Sequence, residues 1–419
     1  MSEEKKGVPL RLEAVDILCE SEKKNVFVNT VLRNHLNRTE IADVRDRAFI
    51  NRLCLGTASM RIALDFALSQ YVRNGMEDQR PIVRQILRAG AYELLFMDVP
   101  DRAVVNSYVS VAGEKGFEGV KSFINAVLRN LSANKYEIPW PDAETRYSMP
   151  AYPGSLIRAF VGDDKAPGVF RALSEKDNLS VKVYNRQFFS EEQTGWKKNP
   201  LHRDVYDVQG GGDVKDYLGY EEGAFVVQDP SSVLAVEALH LKGKERVLDL
   251  CSAPGGKSCL AASFLDKGGT VRACDVNGRR LTTVSENARR LGLTNITVEE
   301  QDASKLNVDH LDAYDAVIAD IPCSGLGVSG RKSDVKFRVS EESIRELTEL
   351  QRNILGNAAK YVKSGGKLLL STCTLTLAEN TENAKYLTGK HGFDILDERT
   401  FIPGEDPCDG FYYCVLRRP

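Results

Sequence analysis

The stretch Arg246–Ser258, RVLDLCSAPGGKS, constrains the fold more than any other part of the chain. Val247, Leu248 and Leu250 form a short apolar run that suits a strand buried in a parallel sheet. Ser252-Ala253-Pro254-Gly255-Gly256 interrupts it, and a helical pattern, KSCLAASFLDK, follows. Strand, Gly-rich turn and helix N-terminus in succession present free backbone N–H groups beside the end of a sheet. The two glycines let backbone come close to a ligand. Asp249 is placed to hold the loop or a ligand amine. The next strand, Thr270–Asp275, ends in an acid, where a carboxylate can grip the two hydroxyls of a ribose. The dinucleotide fingerprint GxGxxG is absent, which points to a nucleoside cofactor other than NAD.

The same alternation continues to the C-terminus. Strands are expected at 246–250, 270–275, 296–299, 315–319, 367–372, 391–396 and 411–416. Helices are expected at 256–266, 278–291, 341–362 and 378–387. This predicts a parallel sheet wound on both faces, with ligands at the carboxyl ends of the strands. Asp302 follows the third strand, where an adenine edge would lie. Two further tips read Asp320-Ile321-Pro322-Cys323-Ser324-Gly325 and Ser371-Thr372-Cys373-Thr374. On adjacent strands, both thiols and Asp320 would share one face of the sheet beside the cofactor. Cys251, Cys259 and Cys274 read as buried structural thiols, although Cys251 also borders the cofactor loop.

A thiol pair, an acid and a nucleoside cofactor suit methylation at carbon-5 of a pyrimidine. A thiolate added to carbon-6 makes carbon-5 nucleophilic toward a sulfonium methyl. A base then removes the carbon-5 proton and the thiolate leaves, so one hard step becomes several easier ones. The carboxyl can steady charge at N3 and accept from N4–H. The base must leave its stack to reach such a site.

Before this domain the chain reads differently. From Leu10 to about Lys135 it is a succession of apolar helical faces with short loops, an all-α domain. Pro139-Trp140-Pro141 marks a linker. The segment up to 222 reads as a small α+β module, with helices at Leu156–Phe160 and Val169–Ser174 and strands at Leu179–Tyr184 and Ala224–Val227. Trp196–Pro200 and Gly210-Gly211-Gly212 are expected loops. Gln228-Asp229-Pro230-Ser231-Ser232 caps a helix over Val233–Leu239. The expected boundaries are 1–138, 139–222 and 223–419.

The 419 residues carry a net charge of -3, so an RNA surface must be a local patch and not a whole-molecule field. No run approaches the ~18 apolar residues of a membrane span, and the N-terminus is not a secretory signal. Nine cysteines without CxxC spacing fit a reducing cytoplasm and no metal.

The helical part is similar to the RNA-binding fold of the antitermination factor NusB. The likeness lies in RDRAFINRLCLGTASMR, PIVRQILRAGAYELLFMDVPDRAVVNSYVSVA and FINAVLRNL, and in Asp46-Arg47, Gly56, Arg88, Tyr92 and Asn125–Arg129. VLDLCSAPGGKS, DIPCSGLG, STCTL and DGFYY are motifs of RNA cytosine-C5 methyltransferases that use S-adenosylmethionine. With the helical domain, the chain resembles the RsmB/Sun family of 16S ribosomal RNA cytosine-C5 methyltransferases. The resemblance implies an all-α NusB-like domain, an RNA-recognition-like α+β module and a Rossmann-like methyltransferase domain. It implies Cys373 as nucleophile, Cys323 assisting product release, Asp320 at the cytosine edge and Asp275 at the ribose. Lys257, with Ser252, Ala253, Pro254, Gly255 and Gly256, would line the methionine end, and Asp302 would sit near adenine. Asp249, Cys251, Arg280 and Asp320 complete the expected cofactor set. Arg47, Arg88, Arg129, Lys182 and Arg331 are the candidate RNA contacts. The expected state is a cytoplasmic monomer acting on 16S ribosomal RNA. The alternatives are a transfer-RNA enzyme of the same chemistry, or an RNA-binding protein with an inactive methyltransferase domain. Thr376-Leu377-Ala378-Glu379-Asn380 and Ser329-Gly330-Arg331 depart from the family pattern. They are expected to alter how RNA is held without touching the thiols.

Overall fold

A computed structural model describes residues 3–39, 41, 43–175, 179–209, 214–331 and 334–419, with side chains described from residue 8. The expected Gly210-Gly211-Gly212 loop lies outside these residues. The chain forms two compact units, Met1–Gly154 with Ser329–Arg338, and Ser155–Val328 with Val339–Pro419.

The first unit is helical. Val28, Val31, Leu32 and Leu36 lie on one buried stripe of the helix Val28–Leu36, and Ile124, Val127, Leu128 and Leu131 do the same on Lys121–Asn134. Pro81 opens the helix Pro81–Phe96, where its missing N–H costs nothing. Glu93 is fully buried in the core and accepts from Arg11 Nε and Tyr108 Oη, each at 3.0 Å. Gly56 lets two helices close: a Cβ there would sit 1.9 Å from Tyr92 Cζ. Residues 329–338 belong to this unit. Asp334 Oδ2 accepts from Val28 N at 2.9 Å, capping a helix whose own N-cap residue, Phe27, has no side-chain acceptor. The Phe337 ring lies under the Arg61 guanidinium at 3.7 Å.

The second unit carries two sheets. Strands β1 (Ser180–Val183), β2 (Lys197–Lys198), β3 (Val205–Asp207) and β4 (Phe225–Val227) form an antiparallel sheet of order β2-β3-β1-β4. Trp196 packs its core against Phe189, Tyr217 and Phe225. Strand β4 falls within the expected strand Ala224–Val227, whereas β2 lies in the expected loop Trp196–Pro200 and β3 is not foreseen.

The larger sheet contains β5 (Arg246–Asp249), β6 (Thr270–Asp275), β7 (Ile296–Glu300), β8 (Tyr314–Asp320), β9 (Val362–Thr372), β10 (Asp394–Phe401) and β11 (Phe411–Arg417), in the order β10-β11-β9-β8-β5-β6-β7. Strands β5 to β9 are parallel, but β11 runs antiparallel to both β9 and β10. The expected all-parallel sheet is therefore corrected to a mixed one. No helix separates β10 from β11, so they pair as a hairpin, which reverses direction. The chain runs outward from β5 to β7 and returns at β8, leaving a switch point between β5 and β8. Open α/β sheets bind ligands in that crevice.

Candidate functional site

Strand β5 delivers Asp249 to the crevice, and the turn behind it ends at Gly255, whose φ of 106° only glycine adopts readily. A Cβ on Gly255 would also press on Val284 at 3.0 Å. The helix Gly256–Ser263 starts there, shorter than expected. Asp249 is fully buried; its Oδ2 accepts from Ser258 Oγ at 2.6 Å and its Oδ1 has no partner among the described residues. Burial pushes its pKa up to about 7, opposed by the Ser258 bond. Ser252 Oγ and both amide atoms of Gln228 are likewise buried without a hydrogen-bond partner. Gln228 faces the helix start, with Cδ 3.5 Å from where a Cβ on Gly256 would stand. Buried polar groups left open are rare and call for a partner. A carboxylate, an amide and a hydroxyl beside free helix N–H groups fit the zwitterionic end of an amino-acid-bearing cofactor.

Asp275 closes the other side of the turn. Its Oδ2 accepts from Ala253 N at 3.2 Å and lies 3.5 Å from Arg280 Nη1; its Oδ1 accepts from Asn277 N at 3.0 Å. Arg280 Nη2 donates to Ala253 O at 2.8 Å, and Asn287 Nδ2 to Pro254 O at 3.1 Å. Asp275 is only 3% exposed, so this strand tip lies within the core. Asp302 accepts from Ser304 N and Oγ, and the Ser304 side-chain bond holds its carboxyl below the usual range. Cys251, Cys259 and Cys274 have thiols pushed up by burial, to values that leave them protonated and inert at neutral pH.

Strands β8 and β9 are adjacent, with Asp320 opposite Ser371. Asp320 Oδ1 accepts from Ser371 Oγ at 2.7 Å, and Oδ2 from Lys257 Nζ at 2.8 Å. Beyond the strand ends the two thiols meet: Cys323 Sγ and Cys373 Sγ are 3.5 Å apart, and both residues are half-buried. Asp320, Lys257, Cys323 and Cys373 thus form one group. The hydrogen bond with Cys373 and then burial push the Cys323 thiol well up, and charge on Cys373 and Glu379 adds to this. Lys257 also sits 5.2 Å from the centroid of the Phe411 ring.

Sequence reading missed the support beneath this group. Ser324, Thr374, Thr376, Glu379 and Asn380 are all fully buried or nearly so and bonded to one another. The helix expected at 378–387 starts only at Thr381, because Glu379 and Asn380 turn back to bond the preceding loop. The departure at 376–380 thus bonds Ser324 and Thr374, the residues that follow the two cysteines.

The expected RNA contacts divide. Arg129 is exposed and Arg47 half-buried, both accessible on the helical unit. Arg88 is buried and donates to Asp65 through Nε at 2.7 Å and Nη2 at 2.6 Å. Lys182 is buried in β1 and bonds Val183 O and Asp204. Both are engaged in internal ion pairs, which corrects their assignment as surface contacts. Arg331 is half-buried in the segment 329–338 of the helical unit. No described helix is long and apolar enough to cross a membrane, and no described cluster of His, Cys, Asp and Glu could hold a metal ion.

Comparison with known proteins places these units. A family model described as 16S rRNA methyltransferase RsmB/F matches residues 236–417, and the NusB family model matches residues 9–133. The Bacillus subtilis protein named "Probable ribosomal RNA small subunit methyltransferase B" is 31% identical, over 99% of each chain. The ribosomal RNA small subunit methyltransferase B of Shewanella oneidensis is 27% identical, over 97% of this chain and 98% of its own. The crystal structure of PH0851 superposes with a TM-score of 0.78 at 21% identity, covering 98% of this chain and 99% of that one. NSun6 from Pyrococcus horikoshii with SFG gives a TM-score of 0.58 at 20% identity, over 64% of this chain and 98% of its own.

Proposed function

The chain belongs to the RsmB/F family of 16S ribosomal RNA methyltransferases, and from that premise we propose that it methylates carbon-5 of a cytosine through a covalent cysteine adduct. The observation that carries this reading is the pair of thiols 3.5 Å apart, beside the Lys257–Asp320 pair at the switch point of the sheet.

S-adenosylmethionine, when bound, supplies an electrophilic methyl group. Asp249, Ser252, Gln228 and the N-terminus of the helix Gly256–Ser263 would hold its amino-acid end, and Asp275 its ribose, with Arg280 and Asp302 flanking. Cys373 attacks carbon-6 of the flipped-out cytosine as the thiolate. Lys257 stands close enough for its charge to interact with Cys373. Carbon-5 then gains the electron density it lacks in the free base. Asp320 faces N3 and N4–H, where charge appears during attack. Cys323 is kept as a thiol by its bond to Cys373 and by burial. Once Cys373 is bonded to carbon-6, it no longer holds the Cys323 proton in place; Cys323 can then release that proton and, as the thiolate, act as or near the base that takes the carbon-5 proton, after which the Cys373–C6 bond breaks. Binding of RNA to the NusB-like unit would bring the ribosomal substrate to this site.

Bisulfite sequencing of ribosomal RNA from cells with and without the gene tests the reading. One protected cytosine in 16S RNA, lost in the deletion and restored by the gene, supports it. An unchanged cytosine pattern would refute it.

A further inference from the structure

We infer that Glu379 is a positioning residue that holds the two thiol-bearing loops together and sets the separation of Cys323 and Cys373. The inference rests on the two-thiol reading above. Glu379 is fully buried. Its Oε1 accepts from Ser324 N at 2.8 Å and Gln351 Nε2 at 3.1 Å, and its Oε2 accepts from Ser324 Oγ at 2.6 Å and Thr376 Oγ1 at 2.9 Å. The same Gln351 amide donates to Pro322 O at 2.9 Å.

The proton order follows from valence. Ser324 has one hydroxyl proton and gives it to Glu379. Its 2.7 Å contact with Thr374 Oγ1 must therefore use the Thr374 proton. A single relay, Thr374 to Ser324 to Glu379, joins the residue after Cys373 to the residue after Cys323. Asn380 Nδ2 fixes the second loop by donating to Thr374 O at 3.0 Å. No Lys, Arg or His is hydrogen-bonded or ion-paired to Glu379 among the described residues. A buried carboxylate without a cation is costly unless its oxygens are well bonded. Here four donors, two of them from Ser324 alone, converge on it. Packing alone would be served by an apolar side chain; this one ties both halves of the thiol pair to one point.

The test uses the thiols as a ruler. Diamide takes two electrons and two protons from a neighbouring thiol pair, becoming a hydrazine and leaving one S–S bond. Full-length protein without RNA is treated with diamide, the remaining thiols are alkylated, and the Cys323–Cys373 peptide is quantified by mass spectrometry. Glu379→Ala and, separately, Ser324→Ala should slow this cross-link at least about tenfold, the equivalent of ~1.4 kcal/mol. Glu379→Gln should stay within about threefold of wild type, because the amide can donate to Ser324 and Thr376 while the Ser324 proton turns to Thr374. The Gln variant is the control that a loss of packing would not reproduce. If circular dichroism shows that Glu379→Ala does not fold, Ser324→Ala decides. Wild-type cross-linking in the Ala variants would overturn the inference. Formation of a covalent RNA adduct is measured separately on a denaturing gel. A ruler that responds to Glu379 in a protein that never forms an adduct would sink the carbon-5 reading and leave the clamp standing.

Discussion

Lys257 Nζ lies 2.8 Å from Asp320 Oδ2 in the crevice between β5 and β8, and both side chains are largely withdrawn from solvent. Burial alone would lower the pKa of Lys257; Asp320, with Asp249 adding to it, outweighs this and holds the ammonium above its ordinary range. The ammonium is thus charged throughout the physiological range.

Removing one partner leaves the other uncompensated. Lys257→Ala should cost about 3 kcal/mol of stability, the lower end for breaking a buried pair. Lys257→Met should cost nearly as much, since it too strands Asp320. Urea denaturation measures this. A loss under about 0.5 kcal/mol would mean that water already solvates the pair.

Asp275 serves two purposes, and its substitution should show both. Asp275→Ala should weaken S-adenosylmethionine binding by roughly 1.5–3 kcal/mol, the range for hydrogen bonds to a charged group. It should also destabilise the fold by about 1–3 kcal/mol, because Ala253 N loses its buried acceptor. Calorimetry and denaturation separate the two losses. Unchanged cofactor affinity would place the ribose elsewhere.

Asp249 gives a pH signature. Its pKa is raised to about 7 in the fold from 3.8. Below pH 4 it is protonated whether folded or not and has no effect. Between about 4 and 7 the unfolded chain ionises first, so stability falls as pH rises, and above 7 the penalty is constant. Asp249→Asn should therefore be more stable than wild type at pH 8, by about 4 kcal/mol, and equal to it near pH 4. Denaturation midpoints across this range measure it. A difference independent of pH would contradict the burial argument.

The RNA surface should respond to exposed cations only. Arg129→Ala should weaken RNA binding and reduce the salt slope by about one released counterion. Arg88→Ala should instead lower the stability of the helical unit, because it breaks the pair with Asp65. Filter binding across salt concentrations distinguishes them. An unchanged slope for Arg129→Ala would remove that side chain from the interface.

The strand–turn–helix at Arg246–Ser258 was legible because a buried parallel strand and a Gly-Gly turn each leave a local pattern. Cys323 and Cys373 each follow a strand tip, so their approach follows from β8 and β9 being neighbours. Glu379 was not legible. A carboxylate in a polar run reads as solvated, and its burial depends on Ser324, 55 residues away, and Gln351, 28 away. Arg88 and Lys182 misled for the converse reason. A basic residue reads as exposed until the fold supplies Asp65 or Asp204 from another element. The hairpin of β10 and β11 escaped because strand periodicity carries no direction.

The order of the two thiols is the central claim, and one denaturing gel tests it most directly. Cys373→Ala and Cys323→Ala proteins are incubated with substrate RNA and S-adenosylmethionine, denatured and resolved. Cys323→Ala should appear as protein covalently bound to methylated RNA, because attack and methyl transfer proceed but release stalls. Cys373→Ala should show neither adduct nor product, because no thiolate reaches carbon-6. A trapped adduct with Cys373→Ala, and none with Cys323→Ala, would contradict the assignment and make Cys323 the nucleophile.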